Sequence, residues 1–277
     1  RRKGDTHYCV FEHGMEDVLS ARPRIAQDLV EAVRARQGLT LVYQPVFDIE
    51  KTDMEGAEAL LRWNHPVYGR LDTRVLIEIA EEQGIIAELG EWILETAVSR
   101  LARSKWPWLA VNVSAHQLES GAFANHVART LEQANISASR LHLDLPLKSL
   151  ISPASKQPIE ALSALGVNLV VDAEETPHEV AALLDRPTAL FTKASKLKLS
   201  GEAIWPPDAG FVNEAALWRL ARSARTQGVM LAAKNIETGA QHDVLKRIGF
   251  EQVQGHFYAP PTTALTVEPL AAYRRAG

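Results

Sequence analysis

Residues 56–63 read Gly56-Ala57-Glu58-Ala59-Leu60-Leu61-Arg62-Trp63. The run is short and almost wholly apolar, broken by one acid and one base. Such a run suits a strand with both faces covered better than an amphipathic helix. Seven other stretches share this character: Leu39–Phe47, Trp108–Val113, Arg140–Leu145, Val167–Asp172, Ala189–Lys193, Val229–Lys234 and Phe250–Gln254. They are rich in Val, Leu and Ala and do not alternate strictly, as strands buried on both sides do not.

Helical patterns fill the gaps. Residues Arg74–Gln83, Glu91–Arg103, Phe123–Gln133, Glu179–Leu184, Glu214–Gln227 and Ala240–Ile248 carry apolar residues at helical spacing. Gly84, Gly166, Gly228 and Gly249 stand just past helix ends, where a left-handed residue is wanted. Strand–helix alternation repeated about seven times predicts an α/β fold, a parallel sheet closed as a (β/α)8 barrel of the TIM type. An open doubly wound sheet is the alternative on pattern alone, but no GxGxxG follows the first strand.

The chain has 277 residues, enough for one such barrel with a sizeable core. Its net charge of −4 gives no electrostatic case for a nucleic-acid polymer or a membrane surface, though a local Arg/Lys cluster can still hold a small anion. Cys9 is the only cysteine, which excludes an internal disulfide and fits a reducing, cytoplasmic compartment. No run of 18 apolar residues occurs, so no membrane span is expected in this stretch. Residues 1–38 look different. Tyr8–Met15 reads as a short edge piece and Pro23–Arg36 as a helix with no evident barrel role. The expectation is a linker helix after the tail of a preceding domain, then one domain over 39–277. Ser200–Gly210, with Pro206 and Pro207 adjacent, is expected to be an irregular insertion.

In a barrel of this type functional groups gather at the C-terminal strand ends. Those ends deliver Glu58 and Arg62, Asn112, Asp144, Asp172, Lys193, Lys234 and Gln254. A buried charge costs several kcal/mol unless paired or metal-bound, so seven strands each ending on a polar group need a common explanation. Glu58, Asn112, Asp144 and Asp172 are oxygen donors that suit Mg²⁺ or Mn²⁺. Arg62 suits a phosphate. A purely structural salt-bridge rim would use the same residue types.

The ordered motifs carry a resemblance. Glu58-Ala59-Leu60-Leu61-Arg62-Trp63 with His65-Pro66 and Gly69 resembles the signature of EAL domains. Tyr43-Gln44-Pro45, Val111-Asn112-Val113-Ser114-Ala115, Ile236-Glu237-Thr238 and Gln254-Gly255 with Pro260 match in order over about Leu39 to Pro261. The segment before it is similar to the end of a GGDEF domain and its connector. The resemblance implies the barrel just described and an activity, cleavage of cyclic di-GMP with two divalent metals. It also implies roles. Glu58, Asn112, Asp144 and Asp172 would form the first metal site, Asp144 replacing a family Glu. Glu58 and Lys193 would be the catalytic pair. Gln44, Leu61, Arg62, Asn112, Glu237, Gln254 and Pro260 would contact the dinucleotide.

Three departures bear on that activity. Where the family has paired aspartates followed by a glycine-containing loop, this chain has Asp172-Ala173-Glu174-Glu175-Thr176-Pro177. The strand-seven Glu is Lys234, and the Glu expected soon after Asp144 is Leu147. The second metal site thus loses two carboxylates, at Ala173 and Lys234. Losing one metal removes several kcal/mol of transition-state stabilisation, on the order of 10³-fold in rate. The expectation is a catalytically impaired receptor for cyclic di-GMP. It requires no cofactor, leaves room for one Mg²⁺ or Mn²⁺ at the first site, and works with other signalling domains or proteins. A non-binding protein-interaction scaffold and a residual phosphodiesterase are the alternatives.

Overall fold

The computed structural model describes residues 15–51, 53–185, 193–206 and 213–263, with side chains from residue 21 onward. Nine strands are present among them: β1 (Leu39–Asp48), β2 (Met54–His65), β3 (Gly69–Arg70), β4 (Leu109–Asn112), β5 (Leu141–Pro146), β6 (Asn168–Ala173), β7 (Ala194–Ser200), β8 (Met230–Lys234) and β9 (Gln252–Val253). Eight of them close a barrel in the order β1-β9-β8-β7-β6-β5-β4-β2, and β2 pairs back with β1. The two-residue β3 only extends β2 as a hairpin.

The barrel is not wholly parallel. β1 runs antiparallel to both of its neighbours, β2 and β9. The cause is local: no crossover helix separates β1 from β2, and a connection this short returns the chain antiparallel. All other barrel pairs are parallel.

The helices are α1 (Met15–Ala35), α2 (Thr73–Glu82), α3 (Ile86–Ala102), α4 (Ala115–Glu119), α5 (Phe123–Ala134), α6 (Leu147–Ile151), α7 (Lys156–Ala164), α8 (Pro177–Leu184), α9 (Gly201–Ile204), α10 (Glu214–Gln227) and α11 (Gly239–Ile248). Their ends follow from side chains that satisfy free backbone groups. Asp72 caps α2 and Ser114 caps α4. Thr176 with Glu179 and Thr238 with Gln241 form capping boxes at α8 and α11. Gly84, Gly166, Gly228 and Gly249 have φ of 68°, 82°, 68° and 99°, the left-handed region expected of them.

Two expectations need correction. The sixth strand of the reading, Ala189–Lys193, lies largely outside the described residues; the strand found there is β7, beginning at Ala194. Its sequence alternates Lys196-Leu197-Lys198-Leu199, which reads as a half-solvated face but is buried on both. The helix before Leu39 also has a barrel role. Ile25, Leu29 and Val33, spaced by four, belong to the main core with at most 3% exposure. Arg22 pairs with Glu82 of α2 at 2.7 Å, and Arg36 pairs with Glu95 of α3 at 2.6 Å. Tyr8–Cys9 and the residues to Gly14 lie outside the described residues, as do Pro207–Gly210 of the expected insertion.

Candidate functional site at the barrel mouth

The strand register sets side chains of like depth side by side. Gln44 stands opposite Glu58, Asn112 opposite Asp144, and Asp172 opposite Lys198. Asn112 Nδ2 donates to Glu58 Oε1 at 2.7 Å. The Lys198 ammonium donates to Glu58 Oε2 at 3.2 Å and also to Asp144 Oδ2. Lys234 Nζ donates to Asp172 Oδ2 at 2.6 Å, reaching across β7 from β8 to β6. Asp172 Oδ1 is buried with no protein partner among the described residues.

Burial alone would push the Glu58 carboxyl up. The ammoniums of Lys198 and Lys234, helped by Asn112 and Gln254, overcome this and hold it down at about 2. Burial is also the largest influence on Asp144. Together with the charges of Glu58 and Asp172 it outweighs Lys198 and moves that carboxyl up to about 6. Burial opposes the Lys198 charge, but Asp144, Glu58 and Asp172 raise its affinity for the proton instead. The geometry decides: an ammonium bridging two carboxylates stays charged, and Asp144 is the member that takes up a proton first on acidification. Three carboxylates against two ammoniums leave one net negative charge in the cluster.

Of the positions expected to contact a ligand, Arg62 is half-buried. Its Nη1 donates to the Leu61 carbonyl at 2.7 Å and to Thr73 Oγ1 at 3.3 Å. No carboxylate among the described residues lies within ion-pair distance of it. Gln254 Nε2 donates to Gln44 Oε1 at 3.0 Å, and Gln44 Nε2 donates to the Ala259 carbonyl at 3.1 Å, so both amides are fixed. Gly255 follows Gln254 because a Cβ there would lie 2.0 Å from the Ile236 carbonyl oxygen. Glu237 and Pro260 are exposed, and Asn112 faces solvent at the rim.

Two assigned residues are elsewhere. Lys193 is exposed and precedes β7; the lysine among the carboxylates is Lys198. Leu61 is 4% exposed and packs in the core between barrel and helices. Strand side chains alternate, so Glu58, Leu60 and Arg62 share the mouth face, and Leu60 is the half-buried leucine there. Ala173 is also a core residue with no exposure, so its methyl packs away from the rim. The alternation Lys196-Leu197-Lys198-Leu199 was the signal that could have found Lys198.

Beneath the rim the barrel holds a chamber of about 20 Å³, room for about one water molecule. Trp108, His142, Lys196, Gln252 and Gln254 line it along with Glu58, Asp144 and Lys198. Lys196 Nζ sits 4.5 Å from the centre of the Trp108 ring, which stacks on His142 at 4.1 Å. Burial and repulsion from Lys196 and Lys198 move His142 down to about 3, so it is neutral.

A model of the EAL domain matches residues 26–261 of the chain. The chain belongs to the EAL domain family. This EAL domain is 30% identical over 278 residues to MucR of Pseudomonas aeruginosa, a bifunctional diguanylate cyclase/cyclic di-GMP phosphodiesterase. That match covers 95% of this chain and 38% of MucR. It is 26% identical over 282 residues to the oxygen sensor protein DosP of Escherichia coli, covering 95% of this chain and 33% of DosP. The chain therefore spans well under half the length of these curated relatives. Among solved structures, the MucR phosphodiesterase in complex with c-di-GMP superimposes with a TM-score of 0.72 at 27% identity, covering 87% of this chain and 98% of that one. The FimX EAL domain of Xanthomonas citri, in complex with c-diGMP, gives 0.76 at 20% identity over 92% and 99% of the two chains, a likeness of fold. Among the described residues no helix is long and apolar enough to cross a membrane.

Proposed function

We propose that this EAL domain binds cyclic di-GMP as a receptor and has lost efficient cleavage. The observation that carries the reading is the Lys234–Asp172 ion pair, 2.6 Å long, at the strand-end position where the resemblance calls for a glutamate. Two-metal cleavage needs both ions to stabilise the attacking and leaving oxygens. The donor set does not fit a pair of dications: an ammonium occupies one Asp172 oxygen, a second bridges Glu58 and Asp144, and Ala173 supplies no oxygen. A single Mg²⁺ or Mn²⁺ would draw on Glu58, Asn112, Asp144 and the unpartnered Asp172 Oδ1, and would have to displace Lys198.

Ligand binding is better supported. Arg62 is a half-buried cation with no ion-paired carboxylate among the described residues, oriented by Leu61 and Thr73 at the mouth. A guanidinium held this way is ready for a phosphate. Gln44 and Gln254 form a fixed amide pair deeper in the mouth, at the level of Glu58, and Glu237 offers an exposed carboxylate suited to a guanine edge. In this reading residues 1–38 carry the tail of a preceding GGDEF-like domain and the linker helix α1 that docks on the barrel, and other signalling domains read the bound state.

Calorimetric titration with cyclic di-GMP, once in EDTA and once with Mn²⁺, tests this, with chromatography of the products. The expected result is binding in chelator, little conversion to the linear dinucleotide, and loss of binding in Arg62→Ala. Rapid metal-dependent turnover would instead establish a phosphodiesterase. No binding in either buffer would leave a protein-interaction scaffold.

A further inference from the structure

We propose that Arg70 is a second phosphate-binding residue, forming with Arg62 a two-guanidinium clamp on the ligand's phosphodiester backbone. The inference rests on the receptor reading and extends it to a residue outside the motifs that carry the resemblance.

Strand register brings the two arginines to one face. β3 pairs antiparallel with the end of β2, and Asn64 stands opposite Arg70. Directly opposed residues share a face, and so do residues two apart on one strand. Arg62, Asn64 and Arg70 therefore share the face that also carries Glu58. The intervening Trp63 and His65 are buried on the other side at 3% and 2% exposure, which fixes this assignment. Arg62 and Arg70 are diagonal neighbours, within mutual reach of long side chains.

Electrostatics single this pair out. After burial, the largest influence acting against the Arg62 charge is Arg70 itself, with Glu58 and Asp72 acting more weakly in its favour. Among the described residues neither arginine has a carboxylate within 4 Å, and Arg70 makes no hydrogen bond through its side chain. Asp72, one of the two acids whose charge reaches Arg62, also caps α2, accepting from the Arg74 backbone at 2.7 Å. The next arginine along, Arg74, approaches Glu174 on the loop after β6 at 4.0 Å, so this segment faces the mouth. Two like charges on one face, neither ion-paired to a carboxylate among the described residues, cost free energy that a dianionic ligand would recover. A cyclic dinucleotide has two phosphodiesters; a single arginine can neutralise one.

Calorimetry at low salt with cyclic di-GMP in EDTA, on the wild type and on Arg70→Ala, Arg70→Lys and Arg70→Glu, decides the matter. The clamp predicts about tenfold weaker binding for Arg70→Ala, an intermediate loss for Arg70→Lys, a larger one for Arg70→Glu, and a shallower salt dependence for Arg70→Ala. Charge acting at a distance, without contact, predicts a smaller loss for Arg70→Ala and none for Arg70→Lys, which keeps the charge but not the guanidinium fork. Unchanged or tighter binding by Arg70→Ala, with the wild type binding normally, overturns the clamp and leaves the receptor reading intact. A wild type that does not bind overturns both.

Discussion

Lys234 and Asp172 join the ends of two strands that are not neighbours, with β7 and its Ser200 lying between them. The pair is partly buried, with side-chain exposures of 18% and 14%. Lys234→Glu is expected to free Asp172, add a carboxylate and raise Mn²⁺ affinity, read by calorimetry. Lys234→Ala leaves Asp172 without its partner and is expected to cost about 1–3 kcal/mol in urea unfolding. Mn²⁺ affinity in Lys234→Glu no greater than in the wild type would show that the ammonium is not what excludes the ion.

Lys198 is the cation on which Glu58 and Asp144 both depend. Lys198→Met keeps the volume and removes the charge, leaving two buried carboxylates face to face. The expected cost is about 3–5 kcal/mol. Divalent ions should restore part of it by binding only the folded form. Thermal unfolding with and without Mn²⁺ measures both effects. A variant as stable as the wild type would mean the carboxylates are solvated some other way.

Lys196 gives the pH dependence. Burial lowers its proton affinity first, and repulsion from Lys198 adds to this. Asp144, Glu55 and Glu251 oppose but do not reverse it, and the ammonium loses its proton at about 8 against a usual 10.5. Neutral His142 contributes no charge. The unfolded chain holds the Lys196 proton more tightly than the folded one. This contribution to stability is therefore full above pH 10.5 and is lost as pH falls toward 8. Linkage makes it about 3 kcal/mol. Lys196→Met should gain most of that at pH 7 and nothing at pH 10.5, in urea unfolding at the two pH values. An equal effect at both would assign it to packing.

α1 is expected to be needed for the barrel's stability. Leu29 has no exposure and lies in the main core. Leu29→Ala should cost about 2–4 kcal/mol, read from the urea midpoint. A loss under 1 kcal/mol would mean the helix is only loosely docked.

Much of the barrel could be read from the chain because its strands are covered on both sides and announce themselves as apolar runs. Glu58, Asn112, Asp144 and Asp172 stood out because each is a polar group ending such a run, and the register does bring them to one rim. β7 escaped because its inward residues are lysines, so a strand buried on both faces from Lys196 to Ser200 imitates an amphipathic one. That error carried Lys193 into the position Lys198 fills. Leu61 was misplaced for a simpler reason: adjacent leucines on a strand face opposite ways, and only the pairing says which one looks inward. α1 was undervalued because an amphipathic helix does not declare what it packs on. The partnerships of Lys198 and Lys234 depend on side chains meeting across the barrel, which no linear pattern encodes.

The antiparallel course of β1 has a practical consequence. Since β2 ends at the mouth, the hairpin connection between Asp48 and Met54 turns at the opposite pole of the barrel. Glu50 and Lys51 are exposed there. A fluorophore or surface tether attached at that turn would sit about a strand's length from the barrel mouth, giving a handle for immobilisation or labelling that leaves the mouth unobstructed.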